Sequence, residues 1–466
     1  MKKLLLSLAV LGAFGAGFAV AHYRWFPASW LQRARAMVGG ADATAGDPPG
    51  LGPAGLWQRV RSNMRGGDTP DTEAMRELAN VPYLSGYEST EEVGGVLVYD
   101  PDRTAAGINL VVSGHAPHAA LQNLKGDTLH EWSYALQDVW PGLQTIDARH
   151  ETFWRRAHVY SNGDLLAVYD GIGTIKLNRD SELLWAYQGN THHDMEVGPD
   201  GRIYTLAREP REDHERFRLK GPIEEDFIVV LSPAGEELQR LSVLECFLDS
   251  DYASWLALSA RKGDLLHTNT IERMDGRFAD RHAMFAEGNL LISAPTINTI
   301  AVIDPEARRV IWALGGMWKF QHQPTVLDSG DLLIFDNLGH DGGSKVIEFD
   351  PLTQVVHWGY RYSEDNGFFS HMLGSCQRLA NGNTLITEST AGRAFEVTTS
   401  GEVVWDYANP HRAGPEADLI ATLLEVVRLD LEGFDGAFAA VLDAAAPAGG
   451  PLDLSEVEAL QQGANK

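Results

Sequence analysis

The sequence predicts an all-β protein, a six-bladed β-propeller, on three observations. Short apolar runs recur from about residue 86 and are separated by turns rich in Gly, Asp and Asn. A tryptophan ends most of these units, and the last two intervals, Trp312 to Trp358 and Trp358 to Trp405, are 46 and 47 residues long. A repeat of this length with about four strands is typical of a propeller blade. Six such units fit between residues 86 and 410.

Each predicted blade begins at a hairpin turn on a glycine and ends in a closing strand. The turns are expected at Gly95, Gly163, Gly201, Gly288, Gly330 and Gly382. The closing strands contain Trp132, Trp185, Trp312, Trp358 and Trp405, and the Gly201 unit closes without tryptophan at Leu238–Val243. We expect each tryptophan to pack against the next blade rather than to bind substrate.

The first 21 residues predict export. Met1-Lys2-Lys3 precedes an 18-residue apolar run that ends at Ala21. Such a segment is typical of a secretory signal peptide, and its length is also at the short limit for an uncleaved membrane anchor. The residues that follow, Tyr23, Arg24 and Trp25, favour an inner-membrane anchor. In either case we expect a periplasmic protein.

The remaining segments flank or interrupt the propeller. Residues 22–85 are predicted to be a linker with a short helix at 72–80, and residues 411–466 a helical extension, with helical periodicity over 417–431 and 437–444. Two insertions, 208–225 and 272–284, are expected to be exposed loops.

The charge and the cysteines limit partners and covalent chemistry. The net charge is −26, which disfavours nucleic acid and anionic membrane surfaces as partners. The two cysteines, Cys246 and Cys376, could pair in an exported protein or remain two buried thiols.

Two histidines occupy equivalent places in different units. His193 lies eight residues before Gly201, and His322 lies eight residues before Gly330. Equal offsets put both imidazoles at the start of an innermost strand, at the mouth of the propeller channel. His267 precedes Gly288 with an offset enlarged by the second insertion. His192 is expected to face away from His193, because side chains alternate along a strand.

Clustered imidazoles permit two kinds of chemistry. Zinc or copper sites usually add carboxylates, and Asp194 is the only one close in sequence. A neutral imidazole nitrogen can instead attack a sulfuryl or phosphoryl group and carry it covalently, while neighbouring imidazoles bind oxygens or move a proton. We favour the second chemistry and expect neither a metal nor a cofactor.

An ordered set of short motifs resembles the bacterial arylsulfotransferase family over about residues 90–412. The motifs are His192-His193-Asp194, His267-Thr268-Asn269, Ile303-Asp304-Pro305 with Trp312-Ala313-Leu314-Gly315-Gly316, Gln321-His322 with Phe335-Asp336-Asn337, and Gln377-Arg378-Leu379 with Asn381-Gly382-Asn383. The resemblance implies a periplasmic six-bladed propeller that transfers a sulfuryl group from an aryl sulfate to a phenol without the nucleotide donor PAPS. It implies that His322 becomes sulfated, and that His193 and His267 bind the sulfuryl oxygens or handle the phenol proton.

One position departs from the family pattern. Where the family has an arginine, after Leu290–Ser293, this chain has Pro295. An arginine there would neutralise charge on the transferring group. Lys319 lies three residues before His322, and could substitute only if its side chain reaches the channel, which strand alternation disfavours. We expect the substrate to contact Asn269, Lys319 and His371.

Two other functions fit the same pattern. A catalytically silent propeller could bind a ligand or a protein at the channel mouth, and the replaced arginine favours that alternative. A quinoprotein-like dehydrogenase would share the tryptophan-closed blades, but the sequence has no adjacent cysteine pair and no evident calcium-ligand cluster.

Overall fold

The computed structural model describes residues 55–59, 94–143, 145, 148–340, 343–414 and 417–445. The chain divides into two compact units, Met1–Gly52 and Pro53–Lys466, and every described residue belongs to the second. The predicted signal or anchor segment, the helix at 72–80 and residues 446–466 lie outside the described residues. Among those that are described, no helix is both long and apolar enough to cross a membrane.

The described chain is mainly antiparallel β-sheet. The first strands are β1 (Trp57–Arg59), β2 (Gly95–Tyr99), β3 (Ile108–Ser113), β4 (His118–Gln122), β5 (Thr128–Ser133), β6 (Arg156–Val159), β7 (Leu165–Tyr169), β8 (Gly173–Leu177) and β9 (Leu183–Tyr187). The next are β10 (Thr191–Val197), β11 (Ile203–Arg211), β12 (Ile223–Leu231), β13 (Glu237–Ser242), β14 (Gly263–Asp264), β15 (Thr270–Arg273), β16 (Leu290–Ala294), β17 (Thr299–Asp304) and β18 (Arg309–Gly315). The last are β19 (His322–Val326), β20 (Leu332–His340), β21 (Gly343–Phe349), β22 (Val356–Arg361), β23 (Ser375–Arg378), β24 (Thr384–Glu388), β25 (Arg393–Val397), β26 (Val403–Ala408), β27 (Arg412–Ala413), β28 (Leu419–Ala421) and β29 (Leu423–Leu429).

The helices are few and short. The α-helices described are α1 (Leu136–Val139), α2 (Val243–Leu248) and α3 (Gly436–Ala445). Short 3₁₀ segments occur at Ala148–Glu151, Ala253–Leu258, Ala283–Phe285, Pro295–Ile297, Ser389–Ala391 and Leu431–Gly433. Helix α3 lies over the range 437–444, where the sequence predicts helical periodicity.

Six sheets in the described part of the chain contain a run of four antiparallel strands. They are sheet 1 (β29-β3-β4-β5), sheet 2 (β6-β7-β8-β9), sheet 3 (β10-β11-β12-β13), sheet 4 (β15-β16-β17-β18), sheet 5 (β19-β20-β21-β22) and sheet 6 (β23-β24-β25-β26). Strand β14 adds to sheet 3, β2 adds to the outer edge of sheet 6, and β1, β28 and β27 form a small separate sheet.

Hydrophobic clusters join the six sheets into a closed ring. Sheets 1 and 2 share one cluster, and each following pair of sheets shares another. The ring closes between sheets 6 and 1, where Trp405 packs with Leu423 and Val426. Every sheet buries both faces against its neighbours. The strands therefore appear in the sequence as continuous apolar runs rather than as alternating apolar and polar residues.

The recurring tryptophans connect neighbouring sheets, as predicted. The indole nitrogen of Trp132 in sheet 1 donates to the Gly163 carbonyl in the first turn of sheet 2 at 3.1 Å. Trp405 in sheet 6 donates to the Leu124 carbonyl of sheet 1 at 2.9 Å. Each indole therefore buries its ring and satisfies its donor on the next sheet.

Three sequence-based expectations about segment boundaries are wrong. Residues 417–431 contain strands β28 and β29 rather than a helix, because Leu423, Leu424 and Val426 fill the innermost position of sheet 1, which begins at β3. The sheets therefore extend to Leu429, beyond residue 410. Within the expected linker, β1 pairs with β28.

Two turn and loop assignments also change. Gly95 begins outer strand β2 and does not turn between inner strands, whereas the other five predicted glycines lie in the first hairpins of sheets 2 to 6. The insertion 208–225 is not wholly an exposed loop, because β11 and β12 extend into it and Glu225 is buried. The two cysteines are buried free thiols.

Acidic side chains on the inner strands bind the backbone of the next sheet. A carboxylate oxygen of Asp194 on β10 accepts the Ile271 N–H at 3.0 Å, and Glu272 on β15 accepts the Val326 N–H at 3.1 Å. Burial, together with the neighbouring Glu196 carboxylate, raises the pKa of Glu272 to about 8. The native protein therefore holds a proton on Glu272 that the unfolded chain releases at much lower pH.

Because this proton is lost at alkaline pH, the free energy of unfolding should decrease there, and Glu272→Gln is expected to make that decrease smaller. The raised pKa stabilises the fold at low pH, and that stability is lost as pH rises through about 8. The glutamine carbonyl still accepts from Val326 but cannot ionise. Urea unfolding at pH 7 and pH 9 should show the variant losing less stability by on the order of 1 kcal/mol. Equal losses in the two proteins would contradict this assignment.

Candidate functional site

The inner strands begin with residues in the left-handed backbone region. His193, His267 and Gln323 have φ values of 58°, 56° and 45°. The pairing register shifts at the same places, between His192 and Met195 in sheet 3 and between His322 and Thr325 in sheet 5. Left-handed non-glycine residues are strained and tend to cluster at functional sites. Here the bulges redirect side chains at one end of neighbouring strands.

The bulge in β10 turns His192 toward His193, contrary to the alternation expected from the sequence. Their Nδ1 atoms are 2.7 Å apart, and both residues are buried. Nε2 of His192 lies 3.7 Å from Oδ1 of Asp226. The other oxygen of that carboxylate, Oδ2, accepts from the Thr268 N–H and hydroxyl at 2.7 and 2.8 Å. Desolvation lowers the pKa of His192 to about 3 and holds the pKa of His193 well below its usual value. Both imidazoles are therefore neutral at pH 7.

His267 has the opposite electrostatic character. Burial alone would lower its pKa, but its Nδ1 hydrogen-bonds to the Asp264 carboxylate, and the charges of Asp264 and Asp226 raise the pKa above its usual value. Its ring centroid is 4.7 Å from that of His193, and 36% of its side chain is accessible to solvent. An imidazole whose charged form is stabilised by two carboxylates thus faces one whose charged form is disfavoured.

His322 is held in one tautomer by Asn337. The Asn337 amide nitrogen donates to the Ser370 and Leu373 carbonyls at 2.8 and 2.7 Å, so its oxygen must face His322. That oxygen lies 2.8 Å from Nδ1 of His322, and the Phe320 carbonyl lies 3.1 Å from the same atom. With two acceptors around it, Nδ1 carries the hydrogen and Nε2 carries the lone pair.

The environment of His322 also keeps it uncharged. Desolvation and then the positive charge of Arg155 lower the pKa of His322 to about 3, and His267 contributes in the same direction. The side chain of Asn269 joins the two strand starts, because its nitrogen donates to the Gln321 carbonyl at 3.1 Å. His193, His267 and His322 are thus gathered at the beginnings of three successive inner strands.

The three residues expected to contact substrate have different surroundings. Asn269 is buried, and its amide hydrogen-bonds to Gln321 and Thr270, which positions strands. His371 lies in the segment 370–373, whose carbonyls bind Asn337, and its ring is 6.3 Å from that of Phe369. Lys319 is exposed, and its backbone N–H donates to a carboxylate oxygen of Asp336 at 2.9 Å.

Arg155 is the main site residue that the sequence does not reveal. It precedes β6 and is only 6% exposed, yet among the described residues none forms a hydrogen bond or ion pair with its guanidinium. Its charge lowers the pKa of both His193 and His322. Nothing in the local sequence distinguishes Arg155 from Arg156. Pro295, in contrast, is buried at the start of a 3₁₀ turn.

Carboxylates are also nearer to the imidazoles than the sequence indicates. Ligand atoms of Asp170, His192 and His193 lie within 4.8 Å of one another, a set that could hold a metal ion. However, the Arg208 and Arg155 guanidiniums help to hold the pKa of Asp170 at about 2 despite its burial. Fixed cations beside the carboxylate repel a divalent ion and attract an anion. The arrangement thus suits an anionic group better than a metal.

Comparison with known proteins is consistent with this site. Residues 158–410 match the model of the arylsulfotransferase (ASST) family. No curated protein matches the chain. Solved structures with similar folds include a protein of unknown function from Bacteroides caccae (14% identity, TM-score 0.43, covering 68% of this chain and 99% of that one). They also include a streptogramin B lyase (13%, 0.40, 74% and 96%) and the WD40 β-propeller domain of Doa1 (12%, 0.38, 71% and 97%). At these values the alignments carry no information on activity. The family match covers more than half of the sequence, and the chain therefore belongs to the arylsulfotransferase family.

Proposed function

We propose that this protein transfers a sulfuryl group from an aryl sulfate to a phenol through a sulfated His322. The observation that carries the proposal is the tautomer of His322, whose Nδ1 is bound to Asn337 while its Nε2 keeps the lone pair. A neutral imidazole nitrogen of this kind is a nucleophile at pH 7. The family membership supports the reaction class.

The first half-reaction forms the covalent intermediate. Nε2 of His322 attacks sulfur, the bond between sulfur and the aryl oxygen breaks, and the phenolate leaves with the electron pair. The cationic His267 gives its proton to this oxygen, which its raised pKa allows. We infer that Arg155, whose charge lowers the pKa of the desolvated His322, offsets the negative sulfuryl oxygens and takes the role of the family arginine that Pro295 replaces.

The second half-reaction regenerates the enzyme. His267, now neutral, removes the proton of an acceptor phenol, whose oxygen attacks sulfur as the bond between sulfur and Nε2 breaks. The sulfated product leaves with neutral His322 and protonated His267 restored. The His193 ring lies 4.7 Å from that of His267, and we propose that it hydrogen-bonds a sulfuryl oxygen or the phenol.

We further propose that the six sheets are the blades of one six-bladed propeller with the imidazoles at one mouth of its axis. The ring of inter-sheet clusters and the pairing of C-terminal β29 with β3 support this architecture. The N-terminal segment is proposed to direct the chain to the periplasm, where it remains as an anchor or is cleaved.

Mass spectrometry tests the covalent step directly. The protein is mixed with 4-nitrophenyl sulfate without acceptor, quenched in alkali and digested, since a sulfated imidazole nitrogen is labile in acid. A peptide containing His322 should gain the mass of one sulfuryl group and lose it when phenol is added. Turnover without any adduct, or an adduct on another residue, would reject this mechanism. His322→Gln serves as the blank.

A further inference from the structure

A buried chain of polar groups lies behind His193 and takes no part in the chemistry described so far. It consists of His192 on β10 and Asp226 on β12, which are 1% and 3% exposed. Nδ1 of His192 lies 2.7 Å from Nδ1 of His193, and Nε2 of His192 lies 3.7 Å from Oδ1 of Asp226. Nε2 of His193 has no hydrogen-bond partner among the described residues, which leaves this nitrogen for the substrate.

The contact between the two imidazoles can run in either direction. At 2.7 Å it is a hydrogen bond, and because both rings are neutral at pH 7, one Nδ1 carries the hydrogen and the other accepts it. If His192 donates, the hydrogen of His193 is on Nε2, which then donates to the substrate. If His193 donates, its Nε2 has a lone pair and can only accept.

Asp226 faces the far nitrogen of His192 with the oxygen that would carry an acid proton. Its Oδ2 already accepts from the Thr268 N–H and hydroxyl, so a proton on this carboxyl has its place on Oδ1. Burial and then the charge of Asp264 raise the pKa of Asp226 to about 7, so the acid form predominates below neutral pH. Oδ1–H then points to Nε2 of His192, and Nδ1–H of His192 points to His193.

The separation of 3.7 Å between Asp226 and His192 is longer than a hydrogen bond. Nε2 of His192 is nevertheless buried without a hydrogen-bond partner among the described residues, which is unfavourable. Catalytic contacts in ligand-free sites are often long and shorten when the substrate binds. The competing acceptor for Nδ1 of His193 is Oδ1 of Asp170, also at 3.7 Å, which favours the reverse direction once Asp226 is ionised.

We propose that His192 and Asp226 are positioning residues, and that the acid form of Asp226 makes Nε2 of His193 a hydrogen-bond donor to a sulfuryl oxygen. The inference rests on the proposed sulfuryl transfer and decides between the two roles left to His193. When Asp226 ionises, one proton leaves the chain. His192 then carries its hydrogen on Nε2, and His193 carries its hydrogen on Nδ1. A lone pair on Nε2 of His193 now faces the negative sulfuryl oxygens, which is repulsive.

Asp226→Asn tests this inference, because the Thr268 N–H requires an acceptor and so fixes the orientation of the amide. The amide oxygen takes the place of Oδ2, and the amide nitrogen faces Nε2 of His192 as a permanent donor. At pH 6 the variant should keep kcat/KM for 4-nitrophenyl sulfate within about threefold of the wild type, whereas Asp226→Ala should lose about 10²-fold. Equal losses in the two variants would overturn the proposal, because the carboxylate itself would then be required.

The pH dependence distinguishes this role from a structural one. Between pH 6 and pH 8 the acid fraction of wild-type Asp226 falls about tenfold, so the ratio of kcat/KM in Asp226→Asn to that in the wild type should rise about tenfold. The charged groups around Asp226 are present in both proteins: Asp264, His267 and Arg208. 4-Nitrophenolate is a weak base and leaves with little help from His267.

The matched control is another buried aspartate that contacts a histidine. Asp331 lies 2.6 Å from Nδ1 of His357, at the end of sheet 5 that is opposite to His322. For Asp331→Asn the ratio to the wild type should stay near one at both pH values. A ratio for Asp226→Asn that does not rise, or an equal rise in the control, would reject the proposed chain.

Binding of benzenesulfonate, which cannot be transferred, separates this inference from the proposed function. Calorimetry with full-length protein should show equal affinities of the wild type and Asp226→Asn at pH 6, and about fivefold tighter binding by the variant at pH 8. This result without a sulfated His322 supports the role of Asp226 and rejects the covalent mechanism. A sulfated His322 together with equal affinities at pH 8 and a constant kcat/KM ratio rejects this inference alone.

Discussion

Replacing His322 with glutamine is expected to abolish sulfuryl transfer from 4-nitrophenyl sulfate to phenol, with a loss in kcat on the order of 10⁴-fold or more. Glutamine fills much of the imidazole volume and can still hydrogen-bond Asn337. It has no nitrogen lone pair with which to attack sulfur. Release of 4-nitrophenolate, followed by absorbance, measures the effect. His322→Ala should lose as much activity.

A second histidine in the same sheet provides the control for this loss. His357 lies on β22, its side chain is 47% exposed, and it pairs with Asp331 at 2.6 Å. His357→Ala should retain activity close to that of the wild type. Thermal unfolding of all three variants establishes that they are folded. Transfer by folded His322→Gln at the wild-type rate would eliminate His322 as the nucleophile.

Replacing Arg155 with methionine is expected to lower kcat/KM by about 10²- to 10³-fold, the usual cost of one preorganised donor at a developing charge. The mutation should leave the free energy of unfolding unchanged or higher. Among the described residues no carboxylate forms an ion pair with this guanidinium. Asp170, whose pKa Arg155 helps to lower, keeps the charge of Arg208 beside it, so methionine removes a buried charge at little cost. Arg155→Lys should restore part of the activity, because it keeps the charge without the planar fork of donors.

The neighbouring arginine should behave in the reverse way. Nε of Arg156 lies 2.8 Å from Asp194, and its Nη1 pairs with Glu425. Arg156→Met would leave two buried carboxylates uncompensated, at a cost of about 3–5 kcal/mol in the free energy of unfolding. Urea denaturation and initial rates, measured on both methionine variants, separate the roles. A strongly destabilised Arg155→Met would indicate a structural role for Arg155 instead.

The equivalence of His193 and His322 was predictable from sequence because it depends only on distance to a turn. Both lie eight residues before a glycine, and in both strands a bulge follows the start. The bulge itself was not predictable. It gives His193 a φ of 58° and brings His192 onto the same side, which reverses the orientation expected from simple alternation.

The helix expected at 417–431 failed for a related reason. The apolar residues in this range fit the periodicity of a helix and that of a strand equally well. They form a strand because one of the six sheets otherwise lacks its innermost strand. Because sheet 1 begins at β3, its innermost position is open to a strand from the other end of the chain, and β29 occupies it. Strand β3, which pairs with β29, lies more than 300 residues earlier in the sequence. The residues around β29 therefore carry no local signal of this pairing.

Turn glycines, apolar runs and spaced tryptophans are local properties, and from them the sequence alone determined the sheet-rich repeat, its hairpins and which histidines begin inner strands. The tertiary structure decided the charge and tautomer of each imidazole, because these depend on Asp264, Asn337 and Arg155, contributed by other strands and loops. A pKa follows from burial and neighbouring charge, which exist only once the ring of sheets has closed.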